Sequence, residues 1–357
     1  MTDAVKTLQG NRILIAPLDW GLGHATRCIP IIHTLIKNNK KVIIAAYGAG
    51  ANLLQQEFPK IKIIKFDGVQ IRYSNNKSQV FTLLKQLPKT TTQIKKEHRE
   101  IKKIVAKYNI DTVISDNRFG LWGSGVFSIY ITHQLMIKCP WWLKFAEPLG
   151  WLIHRSIIKR YDECWIPDYA GNNNLSGDLS HKYPLPKNAK FIGALSRFEP
   201  LNIDEDNGKQ IQNNSPLENE WQKIEKKASV IGLKKSYENI IVISGPEPHR
   251  TKMEEWALSK SSLQNNEQNN NTLIVCGTPY KKNCIIANTN GATTTVNHLD
   301  TELLRYYLLS SKTIICRSGY TTIMDLYTLG LTATQLIPTP GQTEQEYLYK
   351  LHSKKLK

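Results

Sequence analysis

Short apolar runs, typical of buried strands, recur along the whole chain. They are separated by segments whose apolar residues fall at every third or fourth position, as in helices. In the first half the runs predict strands at residues 12–17, 41–46, 61–66, 112–115, 127–132 and 163–166. In the second half they predict strands at residues 239–244, 273–277 and 313–316, and a further apolar run ends at residue 338. Strands that alternate with helices in this way indicate parallel sheets with helices on both faces.

Two segments show helical spacing clearly. Residues 29–36 place apolar side chains on one face directly after the first strand. Residues 93–108 carry apolar side chains on one face and Lys, Arg and Glu on the other. We interpret those charges as a solvated helix face and not as a nucleic-acid patch.

A polar segment rich in Asn, Asp, Gln and Gly, residues 200–216, divides the chain. It predicts a first domain at residues 1–199, a linker or surface excursion at 200–235, and a second domain at 236–357. A second Asn-rich stretch, residues 261–272, is interpreted as a surface loop without chemistry.

The composition narrows the class of protein. A chain of 357 residues, 41% hydrophobic and 22% charged, can form two globular domains and is not disordered. A net charge of +17 favours anionic partners, whether nucleotide phosphates, anionic lipid or nucleic acid. The six cysteines are dispersed without metal-ligand spacing, as in reduced cytosolic proteins, so no metal site is predicted. A secretory h-region and an apolar run of the ~20 residues needed for a membrane span are both missing from the sequence.

Residues 313–347 have the features of a nucleotide-binding segment. A β-branched apolar run ends at Cys316, and an Arg317-Ser318-Gly319 turn leads into a helical segment. A second apolar run then ends in a polar loop that opens another helix. A strand that leads through a Gly-containing turn into a helix places backbone N–H groups and a helix N-terminus at the carboxyl edge of a parallel sheet. Anions and nucleotides bind at such edges.

This segment resembles the nucleotide half of two-domain nucleotide-sugar glycosyltransferases of the GT-B fold. The nearest pattern is that of the enzymes that add N-acetylglucosamine to the lipid precursor of peptidoglycan, and of related UDP-glycosyltransferases. These enzymes share an Arg-Ser-Gly turn, a Thr, an acidic residue one helical turn later, and a Pro-rich loop followed by paired Gln-type side chains. The corresponding residues here are Arg317, Ser318, Gly319, Thr322, Asp325, Pro338, Gln345 and Glu346. The resemblance implies an α/β protein whose two Rossmann-like domains face each other across a cleft.

The resemblance also implies residues that bind the UDP-sugar donor. Asp325 is expected to bind the ribose hydroxyls, and Gln345 and Glu346 the sugar hydroxyls. Leu299 is expected to lie against the base, and the loop at 245–251 under the diphosphate, although it has prolines where the family has glycines. The donor-binding candidates are Arg197, Ser244, Gly245, Arg250, Leu299, Ser318, Gly319, Thr322, Asp325, Gln345 and Glu346.

The loop after the first strand carries a His where GT-B transferases of this kind have one. Thr26 stands where the dinucleotide fingerprint has Gly or Ala, so the loop is weak evidence for NAD. By the resemblance, His24 takes the proton from the acceptor hydroxyl, and Asp116 holds the imidazole. The alternative is that His24 packs the loop while Asp116 caps the next helix. The acceptor-side candidates are Gly21, Gly23, His133 and Gln134.

Residues 136–165 concentrate four tryptophans among lysines and arginines. Aromatic residues interleaved with bases can dock on an anionic membrane surface, which would suit a lipid-linked acceptor. The same pattern also fits a core helix whose aromatic side chains face inward, and we favour this second interpretation.

The combined prediction is a metal-independent, inverting hexosyltransferase that uses a UDP-sugar and no cofactor. Its acceptor would be a lipid-linked or glycan hydroxyl in cell-envelope synthesis, and its place the cytoplasm or the inner membrane face. GT-B enzymes usually end in a helix that returns to the first domain, and we expect that helix to be missing here. A UDP-sugar epimerase of the same fold and a basic nucleic-acid-binding protein are the alternatives, although no nucleic-acid motif accompanies the charge.

Overall fold

The computed structural model describes residues 3–68, 79–123, 125–199, 214–263, 271–279, 281, 285–289 and 292–353. Their strands are β1 (Arg12–Pro17), β2 (Lys41–Ala46), β3 (Lys62–Lys65), β4 (Thr112–Asp116), β5 (Phe127–Ile131), β6 (Glu163–Ile166), β7 (Ala189–Phe191), β8 (Asn239–Val242), β9 (Thr272–Val275), β10 (Ile285–Thr289), β11 (Thr293–Val296), β12 (Thr313–Arg317) and β13 (Gln335–Ile337). Their helices are α1 (Asp3–Lys6), α2 (Leu22–Lys37), α3 (Gly48–Glu57), α4 (Gln79–Tyr108), α5 (Glu147–Ile158), α6 (Asp178–His181), α7 (Asn214–Val230), α8 (His249–Leu263), α9 (Thr301–Ser310), α10 (Tyr320–Thr328) and α11 (Thr343–Ser353). A 3₁₀ helix, Trp141–Ala146, precedes α5.

The strands form two mainly parallel sheets. The first has the order β3-β2-β1-β4-β5-β6-β7. The second has the order β10-β11-β9-β8-β12-β13, in which β10 runs antiparallel to β11. In each sheet the strand order reverses beside the domain's first strand, between β1 and β4 and between β8 and β12, and ligands of such sheets bind at this reversal. The prediction of two Rossmann-like domains is therefore confirmed.

Three strands escaped the sequence prediction. Strand β7 has only three residues and lies at a sheet edge. Strand β10 lies at the edge of the second sheet and is antiparallel. Strand β11 is rich in threonine, and its Thr293, Thr294 and Thr295 are buried although they are polar. A search for apolar runs cannot find a buried strand of this kind.

The two predicted helices form, and α2 has one exception to its predicted buried face. Helix α2 buries Ile29, Ile32 and Leu35, whereas Ile36 is exposed. Helix α4 includes residues 93–108 and buries Ile101.

The charges of α4 are not all solvated, which corrects the sequence interpretation. Glu97 is buried, and its Oε1 accepts a hydrogen bond from Arg118 Nη1 at 3.0 Å. Arg118 is itself buried at the end of β4 and also donates to the carbonyls of Pro17 and Phe66. Among the helices of the described ranges, none combines the length and apolar composition that crossing a membrane requires.

The predicted linker at 200–235 includes a helix. Residues 200–213 lie outside the described residues, and α7 occupies most of the remainder. The Trp221 ring of α7 packs edge-on against that of Tyr306 at 5.0 Å between centroids, beside the core of the second domain. Of the Asn-rich stretch at 261–272, residues 264–270 also lie outside the described residues.

The two domains meet through apolar contacts. Ile323 and Met324 of α10 belong to the same buried cluster as Ile29 of α2. Leu195, on the segment that leaves the first domain, donates its backbone N–H to the Met324 sulfur at 3.4 Å. Helix α10 of the second domain is thus part of the core that supports α2.

Helix α11 also contacts the first domain. Leu348 is fully buried in the shared cluster. Tyr347 Oη accepts a hydrogen bond from the backbone N–H of Asp178 at 2.7 Å, and His352 Nε2 contacts the Leu175 carbonyl at 2.8 Å. Helix α11 is therefore packed against the first domain.

Gly277 ends the loop after β9 in a left-handed conformation, with φ +65°, and a Cβ there would lie 2.6 Å from the Ile243 carbonyl oxygen. We expect Gly277→Ala to lower the free energy of unfolding by at least about 3 kcal/mol, because neither backbone can move without shifting a strand end. Gly330 is the matched control: its φ is +64°, and nothing lies within 4 Å of its Cβ position. Gly330→Ala should cost only about 1 kcal/mol.

Denaturant unfolding of the two variants measures this difference. Equal losses at both positions would show that the Ile243 carbonyl does not constrain Gly277.

Candidate active site

The predicted pair of His24 and Asp116 is formed at the strand-order reversal of the first sheet. Strands β1 and β4 are neighbours, and Asp116 is the last residue of β4, paired in register with Pro17. Gly21, at φ 116°, lets the chain turn from β1 into α2, so that His24 lies in the first helical turn. His24 Nδ1 then lies 3.2 Å from Asp116 Oδ1.

Arg27, which the sequence analysis missed, completes this pair. Its Nε donates to Asp116 Oδ2 at 2.6 Å, and its Nη2 donates to Asp116 Oδ1. The side chain is only 2% exposed. One signal in the sequence could have found it, because residues three apart on a helix share a face and Arg27 follows His24 by three.

The charges of this cluster are strongly coupled. Burial alone would raise the pKa of Asp116, but the charges of Arg27 and His24 outweigh it and lower the pKa to about 2. Burial and the charge of Arg27 lower the pKa of His24 below its ordinary value of 6.5. His24 is therefore neutral and Asp116 ionised at pH 7.

His24 Nδ1 has two contacts that require opposite protonation. Arg27 Nη2, 2.7 Å away, can only donate, and so binds a bare Nδ1. Asp116 Oδ1 can only accept, and so binds Nδ1–H. The tautomer that donates to Asp116 leaves Nε2 as a proton acceptor, and this is the form that a general base needs.

His133 connects the cluster to the second domain. Arg27 Nη1 lies 3.2 Å from its Nδ1, which must accept, so that Nε2 carries the proton. His133 Nε2 then donates to Glu344 Oε1 at 2.7 Å. The imidazole also stacks on the ring of Tyr320, with centroids 4.2 Å apart and planes at 5°. The second domain thus supplies two side chains to the predicted acceptor side.

Gln134, the neighbouring acceptor-side candidate, lies beside this cluster but is joined to it only through the backbone. Its N–H donates to Thr132 Oγ1 at 3.1 Å. Within the described residues, its side chain forms no hydrogen bond with His24 or Asp116.

Glu344, which directly precedes the predicted sugar-binding residues Gln345 and Glu346, is the residue of this helix turn that contacts His133. Gln345 Oε1 instead accepts hydrogen bonds from the N–H and Oγ1 of Thr339, at 3.0 and 2.9 Å. Glu346 Oε1 accepts from the N–H of Gly341 at 3.1 Å. Both side chains therefore hold the loop before α11, and Glu344 is the residue of this helix turn that reaches the cluster.

The predicted phosphate turn lies at the N-terminus of α10. Ser318 is buried, and its Oγ donates to the Gln345 carbonyl at 2.8 Å. Gly319 is the N-cap of α10, with nothing within 4 Å of its Cβ position. Thr322 lies in the first turn of the helix and is half-buried.

The N-termini of α2 and α10 meet at Gly23. Its carbonyl accepts a hydrogen bond from Thr321 Oγ1 at 3.2 Å, and a Cβ at Gly23 would lie 3.0 Å from that oxygen. Two helix N-termini, each with partial positive charge, therefore converge beside His24, and this arrangement favours an anionic ligand.

Two further donor candidates, Arg197 and Asp325, lie together. Arg197 Nε is 3.8 Å from Asp325 Oδ2, and Asp325 Oδ1 accepts from Ser196 Oγ at 2.6 Å. Burial raises the pKa of Asp325. A cavity of about 580 Å³, lined by Arg197, His298 and residues of both domains, opens beside them.

The other donor candidates lie in less favourable settings. Arg250 forms ion pairs with Glu247 and Glu254, each at 2.6 Å, so its charge is already compensated. Leu299 is 1% exposed and belongs to the core of the second domain.

The diphosphate loop is bordered by the loop before α11. Ser244 is half-buried and directly precedes Gly245, whose φ is 109°. A Cβ at Gly245 would lie 3.9 Å from Thr339 Oγ1, so the two loops line the same space. Within the described residues, no three His, Cys, Asp or Glu side chains are grouped as metal ligands.

Comparisons with known proteins support the fold. Residues 11–133 match the family model described as Glycosyl transferase family 1. No curated protein matches the chain. Similar solved structures include a UDP-GlcNAc 2-epimerase from Neisseria meningitidis bound to UDP-GlcNAc, which is 14% identical with a TM-score of 0.53 over 97% of this chain and 93% of that one.

Two glycosyltransferases show the same degree of similarity. A spinosyn rhamnosyltransferase is 11% identical, with a TM-score of 0.54 over 94% of this chain and 83% of that one. The glycosyltransferase SnogD from Streptomyces nogalater is 14% identical, with a TM-score of 0.50 over 95% and 84%. The GT-B fold of nucleotide-sugar glycosyltransferases, implied by the sequence resemblance, is confirmed.

The charge of Arg27 should hold the pKa of His24 down. Arg27→Met removes that charge. The charge of Asp116, which raises the pKa of His24, then acts without the opposing charge of Arg27, so the pKa of His24 should rise. Arg27→Lys keeps the charge and should leave the pKa below 6.5. An NMR titration of the histidine ring protons measures both, with the His24 signal assigned from His24→Gln.

His298 in the second domain is the internal control, since burial lowers its pKa to about 4 and neither substitution touches it. A His24 pKa that is unchanged in Arg27→Met would contradict the coupling.

Proposed function

We propose that this protein transfers a hexosyl group from a UDP-sugar to a hydroxyl acceptor. The observation that carries the proposal is the His24–Asp116 pair, 3.2 Å apart, at the point where the N-termini of α2 and α10 converge. The family match and the GT-B neighbours support a transferase, and one neighbour was solved with UDP-GlcNAc bound.

The acceptor half of the reaction belongs to the first domain. His24, with Nδ1–H directed at Asp116, takes the acceptor's hydroxyl proton on Nε2 as the oxygen attacks the anomeric carbon. The bond between that carbon and the diphosphate oxygen breaks, and UDP leaves with the electron pair. One displacement inverts the anomeric configuration. Arg27 keeps Asp116 ionised and oriented, and Asp116 stabilises the imidazolium that forms.

The donor half belongs to the second domain. The diphosphate would lie at the N-terminus of α10, against Gly319 and the loop of Ser244 and Gly245. Helix N-termini then replace a metal ion in stabilising the leaving group. Arg250 reaches the diphosphate only by leaving Glu247 or Glu254, so we assign it a lesser role than the sequence suggested.

The nucleoside would extend towards Arg197 and Asp325. A carboxylate suits the ribose hydroxyls because it can accept two hydrogen bonds from a diol. The cavity beside Arg197 and His298 would take the base. Since the Leu299 side chain is in the core, its backbone and not its side chain would contact the base.

Glu344 would bind the hydroxyls of the transferred sugar. Its carboxylate already points into the cluster, whereas Gln345 and Glu346 hold the loop at residues 338–342. The negative charge on Glu344 favours hydrogen bonds from sugar hydroxyls, a role that the sequence resemblance assigned to Gln345 and Glu346.

An epimerase is the second candidate, because the same fold includes the Neisseria meningitidis enzyme. Product analysis separates the two reactions. An epimerase changes the UDP-sugar without an acceptor, whereas a transferase releases UDP only when an acceptor is present.

Asp325 should bind the ribose. Isothermal titration in EDTA should show selective binding of UDP over ADP and GDP, and Asp325→Asn should weaken UDP binding about 10–100-fold through loss of charged hydrogen bonds. Glu163→Gln, a change to a surface ion pair with Lys190, should have no effect.

Removing the ribose hydroxyls tests the contact itself. Wild type should bind 2′,3′-dideoxy-UDP much more weakly than UDP, and Asp325→Asn should bind the two nearly alike. A variant that discriminates between them as strongly as wild type excludes the ribose role.

His24 should be required for turnover and not for donor binding. His24→Ala should lower kcat by about 10²–10⁴-fold while UDP affinity stays unchanged. UDP release from UDP-hexoses with lipid and glycan acceptors measures the rate. His98→Ala, which removes a ring stacked on Trp122 away from the cluster, is the control. Turnover near wild type in His24→Ala would refute the assignment.

A further inference from the structure

The 3₁₀ helix and α5 expose a continuous series of large apolar side chains. Trp141 is 83% exposed and Phe145 79%, and in the described part of the chain nothing covers them. The series, which we call the Trp141 surface, comprises Trp141, Trp142, Phe145, Leu149, Leu152 and Ile153. An exposed apolar patch made of six large side chains on a globular protein indicates an interaction surface.

One apolar face of helix α5 points to solvent. Leu149, Leu152 and Ile153 share one helix face by their spacing of three and four, and this face is exposed. The opposite face buries His154 and Ile158. The sequence interpretation, in which the aromatic side chains face a core, is therefore wrong for Trp141 and Trp142.

That interpretation is correct for the other two tryptophans of the segment. Trp151 stacks on Tyr183 with centroids 5.0 Å apart. Trp165 is fully buried in β6.

Within residues 137–160, which carry the Trp141 surface, the exposed charged side chains are basic. Lys144, Lys159 and Arg160 are exposed. The one acidic residue between residues 137 and 160 is Glu147, which is buried and bound to Lys182 at 2.6 Å. A second copy of the chain would bring the same bases against these, and like charges repel. An anionic lipid surface complements both features, because acyl chains take the apolar side chains and phosphates meet the bases.

The Trp141 surface is connected to the candidate active site. Residues 133–141 lead from His133 directly to the 3₁₀ helix. Thr343 Oγ1 donates to the Lys138 carbonyl at 2.6 Å, and the next residue, Glu344, binds His133. The surface and the site therefore share one segment of backbone.

We propose that the Trp141 surface docks on an anionic bilayer and presents the active site to an acceptor hydroxyl held at the lipid surface. The docking stands on the exposed residues alone. The assignment of a lipid-linked acceptor rests on the proposed transferase function.

Co-flotation with vesicles tests the docking. At low ionic strength the full chain should bind vesicles of phosphatidylcholine with phosphatidylglycerol much more tightly than pure phosphatidylcholine vesicles. The double variant Trp141→Ser/Phe145→Ser should bind the anionic vesicles at least about tenfold more weakly. Val230→Ser removes an 81% exposed apolar side chain on α7 and should bind like wild type.

The bases contribute separately. Lys144→Glu/Lys159→Glu should bind the anionic vesicles more weakly and should lose most of the preference for them over neutral vesicles.

Any of three results would overturn the docking. The first is a wild-type chain that does not bind anionic vesicles, and the second is a Trp141→Ser/Phe145→Ser variant that binds them as well as wild type. The third is a concentration-dependent dimer in sedimentation that this variant abolishes, which would assign the surface to a second copy. UDP titration of the same proteins keeps the two hypotheses apart: vesicle binding without UDP binding supports the docking and refutes the transferase.

Discussion

The ion pair between Arg27 and Asp116 is the interaction on which the candidate site depends. Two charges removed from water cost several kcal/mol each unless their hydrogen bonds are satisfied. Here Asp116 receives both the Nε and the Nη2 of Arg27, Nη2 also lies within contact of His24 Nδ1, and the remaining nitrogen, Nη1, contacts His133. Neither Arg27 nor Asp116 can move without leaving a buried charge unpaired, and both imidazoles contact this pair.

The same pair links the chemistry to the arrangement of the domains. His133 is oriented by Arg27 on one side and by Glu344 on the other, and Tyr320 covers its ring. Tyr320 is held in turn by a hydrogen bond from its hydroxyl to the Pro167 carbonyl, at 2.8 Å. Because Glu344 and Tyr320 come from the second domain, the cluster around His133 is complete only where the domains meet, and helices α10 and α11 contact it directly.

The sequence predicted the parts of the site that follow from topology. Residues directly after neighbouring parallel strands share one sheet edge, so His24 and Asp116 could be placed together without coordinates. Arg27 was missed despite its spacing of three from His24, because an arginine on an otherwise apolar helix face is ordinarily expected to reach solvent. The contact of Glu344 with His133 was not predicted, since a residue's direction on α11 depends on where the helix begins. A search for apolar runs missed the threonines of β11 for a similar reason, because their burial depends on tertiary packing and not on the local sequence.

The Trp141 surface shows the same limit in another form. Helical spacing reveals that one face of α5 is apolar, but it does not reveal whether a neighbour covers that face. Only the fold shows that the covered face is the one with His154 and Ile158. The segment between His133 and Trp141 also accepts a hydrogen bond from Thr343 of α11. A movement of the Trp141 surface would therefore shift the backbone that contacts α11. The proposed docking surface and the domain contact therefore share one segment, and in this proposal an acceptor held at a lipid surface would approach His24 from the side that this segment borders.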